Sequence, residues 1–195
     1  MDGGGRTGQQ TLGYLGVAGG LAMLAGFLPI FPWDSPLVFA RIVLFNVGTI
    51  AIAFAVHRSQ TSVGRRLSRA AAATAIAANA WYLVMVLLSI GRPQFPEPDA
   101  SFRPILFYAA IALWLTDAAF GFVAARLGSV SRGAALAVAI GSLLALTGVG
   151  GLGFTTGPWR SIIEPLSIAG LALLGTGVLV LGIELATRRE ARAVA

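Results

Sequence analysis

Residues 105–125 read ILFYAAIALWLTDAAFGFVAA, and this stretch decides the fold class. A helix that crosses a bilayer needs about 20 mostly apolar residues, and the stretch has that length and composition. Its single charged residue, Asp117, lies near the middle. An ionisable side chain at this depth costs roughly 2.5–3.5 kcal/mol on insertion scales, so it normally faces the interior of a helix bundle, a partner or water. The stretch predicts a transmembrane helix and makes Asp117 the residue to explain.

The composition extends this prediction to the whole chain. Of its 195 residues, 56% are hydrophobic and 11% are charged, whereas a soluble domain has about 25% charged residues. Six apolar stretches can cross a bilayer: residues 11–31, 36–56, 70–90, 105–125, 133–154 and 161–187. We expect an all-α integral membrane protein with six transmembrane helices in a compact bundle. A flexible tail, residues 1–10, precedes them, and a basic tail, residues 188–195, follows.

The basic residues predict the orientation of the bundle. All 14 are arginine. Ten of them lie in the two tails and in the two loops at the same end of the predicted spans, and three lie in the loops at the other end. Cytoplasmic loops are enriched in Lys and Arg, so both termini are expected in the cytoplasm. The absence of lysine is typical of a GC-rich genome, and we expect the cell membrane of a prokaryote.

Rare and absent residue types argue against several kinds of site. The net charge is +6, but the arginines are spread over short loops, so we do not expect nucleic-acid binding. There is no cysteine, and the sole histidine is His57. Disulfides, thiolate metal sites and histidine-cluster metal centres are therefore excluded within this chain. The motifs of serine hydrolases, zinc peptidases and P-loop proteins are absent. We expect no catalytic residue, metal or cofactor, and hence no enzyme.

Three polar residues are predicted at similar depth on consecutive spans. Asn46, Asn79 and Asp117 lie nine to eleven residues from the arginine-rich ends of their spans. At about 1.5 Å per residue, this places all three near the bilayer centre. Tyr82, one turn from Asn79, adds a hydroxyl group, and Trp114 shares a helical stripe with Asp117. These five side chains are the candidates for a polar layer inside the bundle.

Two interpretations of this layer are open. It can line a path for a proton or a small solute, because burial favours the neutral form of a carboxyl group and so permits proton exchange near neutral pH. Alternatively, Asp117 and Asn79 form a hydrogen-bonded clamp between helices, worth about 0.6 kcal/mol on average. The path predicts a transporter or channel. The small number of polar residues favours a non-catalytic membrane subunit or structural membrane protein.

A second polar group is predicted near the outer end of the bundle. Arg41 lies five residues into the second span, and Glu164 lies at matching depth, four residues after Arg160. Arg41 and Glu164 can form an ion pair at an outer vestibule. Alternatively, Arg41 reaches the lipid headgroups while Glu164 pairs with Arg160 on its own helix. Because about 140° separates Arg41 from Asn46 around their helix, these two need not line one cavity.

Small residues form stripes on several spans, and such stripes let helix backbones approach closely. They include a GxxxG motif in the first span, an alanine-rich third span, and glycines one heptad apart in the fifth and sixth spans: Gly16, Gly20, Gly141, Gly148, Gly170 and Gly177. The stripes predict either tight packing within the bundle or a face for a second copy or a partner membrane protein. The lipid bilayer is the other expected partner.

Overall fold

The computed structural model describes residues 3–26, 37–60, 64–89, 103–154 and 160–187, which form six α-helices and no strand. The helices are α1 (Gly3–Ala25), α2 (Leu37–Ser59), α3 (Arg65–Ser89), α4 (Arg103–Leu127), α5 (Arg132–Phe154) and α6 (Arg160–Thr187). The all-α fold is confirmed, and each helix covers most of one predicted span. The predicted basic tail, residues 188–195, lies outside the described residues.

The helix α1 begins before the first predicted span. It starts at Gly3, so residues 3–10 are helical, and the flexibility predicted for residues 1–10 stays a prediction. Helical hydrogen bonds join groups within the same segment. A helix can therefore extend beyond its apolar segment, and only that segment is suited to contact lipid.

Four helices are long and apolar enough to cross a membrane. They are Leu37–Ser59, Arg65–Leu88, Pro104–Leu127 and Ser161–Thr187, and α5 contains a shorter apolar stretch, Arg132–Gly148. All six helices also expose large hydrophobic side chains, among them Leu21, Leu44, Leu88, Leu115, Leu143 and Ile183. An apolar surface of this extent is unusual for a protein in water. The described part of the chain is therefore all-helical, with four helices suited to span a membrane.

The helices form a closed ring. Each helix packs against the next one in the chain, and α1 completes the ring by packing between α2 and α6. Short connections make successive helices antiparallel neighbours. The interior of the ring is filled by large buried side chains: Phe45, Ile52, Leu113, Phe120, Leu174 and Leu181.

Glycines permit the closest contacts in this ring. A Cβ atom added to Gly13 of α1 would lie 2.6 Å from the backbone nitrogen of Ala186 in α6. A Cβ atom added to Gly141 of α5 would lie 2.5 Å from the backbone nitrogen of Leu174, also in α6. Side chains at these two positions would overlap the neighbouring backbone. The glycine stripes of α1 and α5 are thus used for packing within the chain.

Polar contacts join the loops at the arginine-rich end. The Gln60 side chain donates a hydrogen bond to the hydroxyl group of Ser129, which links the end of α2 to the α4–α5 loop. In the same loop, the backbone N–H of Ser131 donates a 2.8 Å hydrogen bond to Oε2 of Glu184 in α6. Three parts of the chain that are distant in sequence are therefore held together at this end.

Candidate functional site

A buried hydrogen bond joins α3 to α4 in the middle of the bundle. Nδ2 of Asn79 donates to Oδ1 of Asp117 over 2.8 Å, and both side chains have 0% exposure. The same nitrogen donates to the carbonyl oxygen of Ala75 over 2.9 Å. This second bond orients the amide toward α4. The structure thus brings together two of the residues that the sequence places at one depth.

Two acceptors of this pair have no partner among the described residues: Oδ2 of Asp117 and Oδ1 of Asn79. A buried acceptor without a hydrogen bond costs about 1–3 kcal/mol. The bond between Asn79 and Asp117 therefore stabilises the fold mainly by pairing polar atoms that would otherwise also be buried without a hydrogen bond.

The packing of α4 explains why Asp117 faces inward. Trp114, Gly121 and Ala124 lie on the same stripe of the helix and are also buried. A Cβ atom on Gly121 would lie 2.6 Å from the backbone nitrogen of Ala139, so α5 packs directly against this stripe. Because α4 presents its small residues to its neighbours, its carboxyl group is turned away from the lipid.

A cavity of about 170 Å³ lies between the helices, toward the end of the bundle opposite the arginine-rich loops. Five helices contribute to its wall, which is mostly apolar. The lining residues are Met23, Arg41, Ile42, Phe45, Asn46, Tyr82, Leu113, Trp114 and Leu171. An engineered apolar cavity of about 150 Å³ holds a benzene molecule. The space is therefore sufficient for one small ring.

The cavity and the buried pair are neighbouring but separate features. Tyr82 and Trp114 line the cavity, and each lies three residues from a member of the pair, Asn79 or Asp117. In both helices the pair lies on the side toward the arginine-rich loops, about 4.5 Å further along the axis. Neither Asn79 nor Asp117 belongs to the lining. The polar layer predicted from the sequence is thus divided into two parts. Asn46, Tyr82 and Trp114 line the cavity, whereas Asn79 and Asp117 lie nearer the arginine-rich loops.

Asn46 contributes a buried polar group to the cavity wall. Its side chain is 1% exposed, and its Nδ2 donates a 2.8 Å hydrogen bond to the carbonyl oxygen of Ile42. Its Oδ1 has no partner among the described residues. Nearby, the rings of Phe45 and Trp114 have centroids 6.5 Å apart and are tilted by 45°. The wall therefore combines aromatic surface with one buried amide side chain.

Arg41 lines the same cavity as Asn46, although the two residues point in different directions around α2. The length of the arginine side chain explains the difference, because its charged end can lie far from its own Cα atom. A Cβ atom on Gly26, just after α1, would overlap the guanidinium group. The absence of a side chain at Gly26 thus makes room for Arg41.

The predicted outer ion pair is only partly described. Arg41 is half-buried and Glu164 is exposed, whereas the side chain of Arg160 lies outside the described part of the structure. The pairing of Arg41 with Glu164, and the alternative in which Glu164 pairs with Arg160, both stay predictions.

Sequence reasoning missed the apolar part of the cavity and one buried hydroxyl group. Met23 of α1 and Leu171 of α6 line the cavity. Both are apolar residues in apolar spans, so the sequence does not show whether they line a cavity or pack in the core. Ser142 of α5 is fully buried, and its Oγ has no partner among the described residues. Ser142 lies four residues from both Val138 and Leu146, so the three share one helical face. This spacing is the feature of the sequence that could have indicated its burial.

Comparisons with known proteins do not add to this geometry. The chain matches no protein-family model, no curated protein and no solved structure. Two features of the fold therefore support the functional argument. The buried pair can link two helices, and the cavity can hold a small molecule.

Proposed function

We propose that this protein is a non-catalytic membrane protein that serves as a structural protein or as a subunit of a membrane assembly. One observation carries the proposal: Asp117 is bonded to Asn79 and lies outside the wall of the cavity. A carboxyl group that relays protons or contacts a solute normally faces water or the transport path. A carboxyl group bonded to a neighbouring helix instead holds the bundle together.

The proposal includes six transmembrane helices, with both termini in the cytoplasm of a prokaryotic cell. The packing of α1 and α5 supports the proposal that these two helices also cross the membrane. Gly13 and Gly20 of α1, and Gly141 of α5, all make close contacts with α6, which is itself apolar enough to cross a membrane. A helix packed along such a helix for several turns lies at the same depth. The ten arginines at one end support the orientation.

Reporter fusions test this topology. Alkaline phosphatase, which is active only outside the cytoplasm, is fused after residues 60, 95, 128, 157 and 195. We expect activity only for the fusions after residues 95 and 157. An active fusion at residue 195 would contradict the placement of the C-terminus in the cytoplasm.

The outer face of α3 supports the role as a subunit. Ala73, Ala77 and Ala80 are exposed on this helix, at the spacing of three and four residues that lets a second helix approach closely. Trp81, 42% exposed, lies beside them. Unlike the glycines of α1 and α5, these small residues are not covered by any part of the chain that the structure describes. We propose that a helix of a partner membrane protein packs on this face.

Native mass spectrometry of the protein, gently extracted from its own membrane, tests the role. We expect a second protein in stoichiometric amount, which is lost in Ala77→Leu because the larger side chain prevents close approach. Ala119→Leu is the matched control, since Ala119 is exposed on α4, and it should keep the partner. A monomer in the parent protein would contradict the proposal.

A second candidate is a small-solute or proton-coupled transporter or channel, which the cavity and the buried amide of Asn46 in its wall favour. Flux into liposomes separates the candidates. If the protein couples transport to a proton on Asp117, the Asp117→Asn variant should fold normally and lose flux. Equal flux in the parent and the variant would remove this mechanism.

A further inference from the structure

We infer that the cavity binds a small, uncharged aromatic molecule of one ring, whose polar group pairs with the hydroxyl group of Tyr82. This inference goes beyond the structural role proposed above and does not rest on it, because such a ligand can occupy a subunit as well as a transporter. The class of ligand follows from the polar groups of the wall, from its rings and from its volume.

The polar groups of α2 in the wall argue against a charged ligand. Arg41 is already engaged in an interaction within the chain. In Asn46, Nδ2 is bonded to the carbonyl oxygen of Ile42, and Oδ1 is enclosed by the protein. A charged ligand would therefore lie unpaired among apolar side chains, and burial of an unpaired charge is far more costly than burial of a dipole. The ligand is thus uncharged.

Among the described lining residues, Tyr82 has the polar group that is left for a ligand. Asn79, Tyr82 and Val86 share one face of α3 by helical spacing. Asn79 and Val86 are buried, so this face is directed into the bundle. The Tyr82 hydroxyl makes no hydrogen bond within the described part of the chain, and it is not one of the enclosed oxygen atoms. A buried water needs about two to four polar partners, so this one hydroxyl group favours a ligand over water.

The rings and the thioether of the wall favour a flat aromatic ligand. Phe45, Tyr82 and Trp114 line the cavity together with Met23. The rings of Phe45 and Trp114 are tilted by 45° to each other, and aromatic rings prefer tilted or offset neighbours. A methionine sulfur makes favourable contacts with aromatic rings, and its flexible side chain adapts to the outline of a ligand. An aromatic ring therefore gains more from this wall than an aliphatic chain of equal volume.

The volume of the cavity limits the ligand to one ring. At about 170 Å³, it slightly exceeds the engineered cavity of about 150 Å³ that holds benzene. One ring with a small substituent fits this space. Side chains around an empty space lack van der Waals contacts on one side, and a ligand of this size restores them. Because this gain does not depend on water, it also operates inside a membrane.

Fluorine NMR tests the site with 4-fluorophenol, a single ring with one hydroxyl group that is uncharged at neutral pH. The purified full-length protein is held in nanodiscs of phosphatidylcholine, and empty nanodiscs measure the probe that dissolves in lipid. Above this background, we expect saturable binding of one molecule per chain. The anion 4-fluorobenzoate should bind roughly tenfold or more weakly. An absence of saturable binding of 4-fluorophenol, or equal or tighter binding of the anion, overturns the inference.

Two substitutions that fill the cavity locate the site. Leu171→Trp and Ile42→Phe each enlarge a lining side chain and should reduce the binding of 4-fluorophenol. Ile183→Trp adds bulk at an exposed position of α6 and, as the matched control, should leave binding unchanged. Folding is checked by size-exclusion chromatography and melting temperature. Equal binding in the parent and in either folded cavity-filling variant overturns the inference.

Tyr82→Phe separates the hydrogen bond from the packing of the ring. It should weaken the binding of 4-fluorophenol by about two- to tenfold. Fluorobenzene, which has no hydroxyl group, should bind equally to the parent and to this variant. Equal binding of 4-fluorophenol to the parent and to folded Tyr82→Phe overturns the pairing with Tyr82, and with it the inference.

The acyl chain of a lipid is the competing occupant of the cavity. Nanodiscs supply acyl chains in large excess over the probe, so a cavity filled by a lipid would exclude 4-fluorophenol from the parent protein. This occupant would thus be seen as an absence of saturable binding, which overturns the inference.

Discussion

Asn79 of α3 donates a 2.8 Å hydrogen bond to Asp117 of α4, and neither side chain has exposed surface. In each helix about four turns lie between this bond and one end of the helix, and about three turns lie between it and the other end. The bond therefore joins the two helices where lipid surrounds the bundle and water is scarce. In that setting a lost hydrogen bond is not replaced by a bond to solvent.

Substitutions of Asp117 should separate the hydrogen bond from the charge. Asp117→Asn retains an acceptor for Asn79, so we expect the free energy of unfolding to fall by less than about 1 kcal/mol. Asp117→Leu removes the acceptor and should lower it by about 1–3 kcal/mol. Reversible unfolding in mixed micelles measures both values. Thr176→Val, at an exposed hydroxyl group bonded within α6, is the control and should have little effect.

Two glycines of α5 should respond in opposite ways to the same substitution. Gly141→Ala places a methyl group 2.5 Å from the backbone nitrogen of Leu174, and overpacking of this kind costs about 1–3 kcal/mol. Gly133→Ala meets only Ser131 Oγ at 4.0 Å, and the better helix former should leave stability unchanged or raise it by up to about 1 kcal/mol. Melting temperatures measure both effects. Equal effects of the two substitutions would contradict the close packing of α5 on α6.

The contact between Glu184 and the α4–α5 loop predicts a local change in hydrogen exchange. The Ser131 N–H donates to Oε2 of Glu184 over 2.8 Å, so Glu184→Ala should speed exchange at Ser131 and at the first turn of α5. Because this region is exposed, global stability should fall by no more than about 1 kcal/mol. Exchange in the middle of α3 serves as the reference. Unchanged exchange at Ser131 would contradict the bond.

The sequence alone predicted the helical class and the depth of the polar residues. Loop-to-residue distances placed Asn79 and Asp117 at one level, because every helical residue adds the same rise. The same loop-to-residue distances could not show that Asn46 lines the cavity while Asn79 and Asp117 do not. The direction of each side chain around its helix depends on how neighbouring helices pack, and five helices together form the cavity that Asn46 lines.

Two other features could not be predicted from the sequence for physical reasons. Periodicity placed Arg41 and Asn46 on different sides of α2, but it does not describe the reach of a long side chain, and the two share a wall. A stripe of small residues indicates close approach without naming the neighbour. Only the structure assigns Gly13 and Gly141 to contacts with α6.

A double-mutant cycle between Asn79 and Asp117 tests the central claim most directly. The free energy of unfolding is measured for the parent, Asn79→Leu, Asp117→Leu and the double variant. If the pair is a clamp, either single substitution leaves a buried polar group unpaired, whereas the double substitution removes both groups. We therefore expect the double variant to lose less stability than the sum of the single variants, by about 0.5–1.7 kcal/mol. Additive losses would show that the two side chains are not energetically coupled and would contradict the structural role assigned to Asp117.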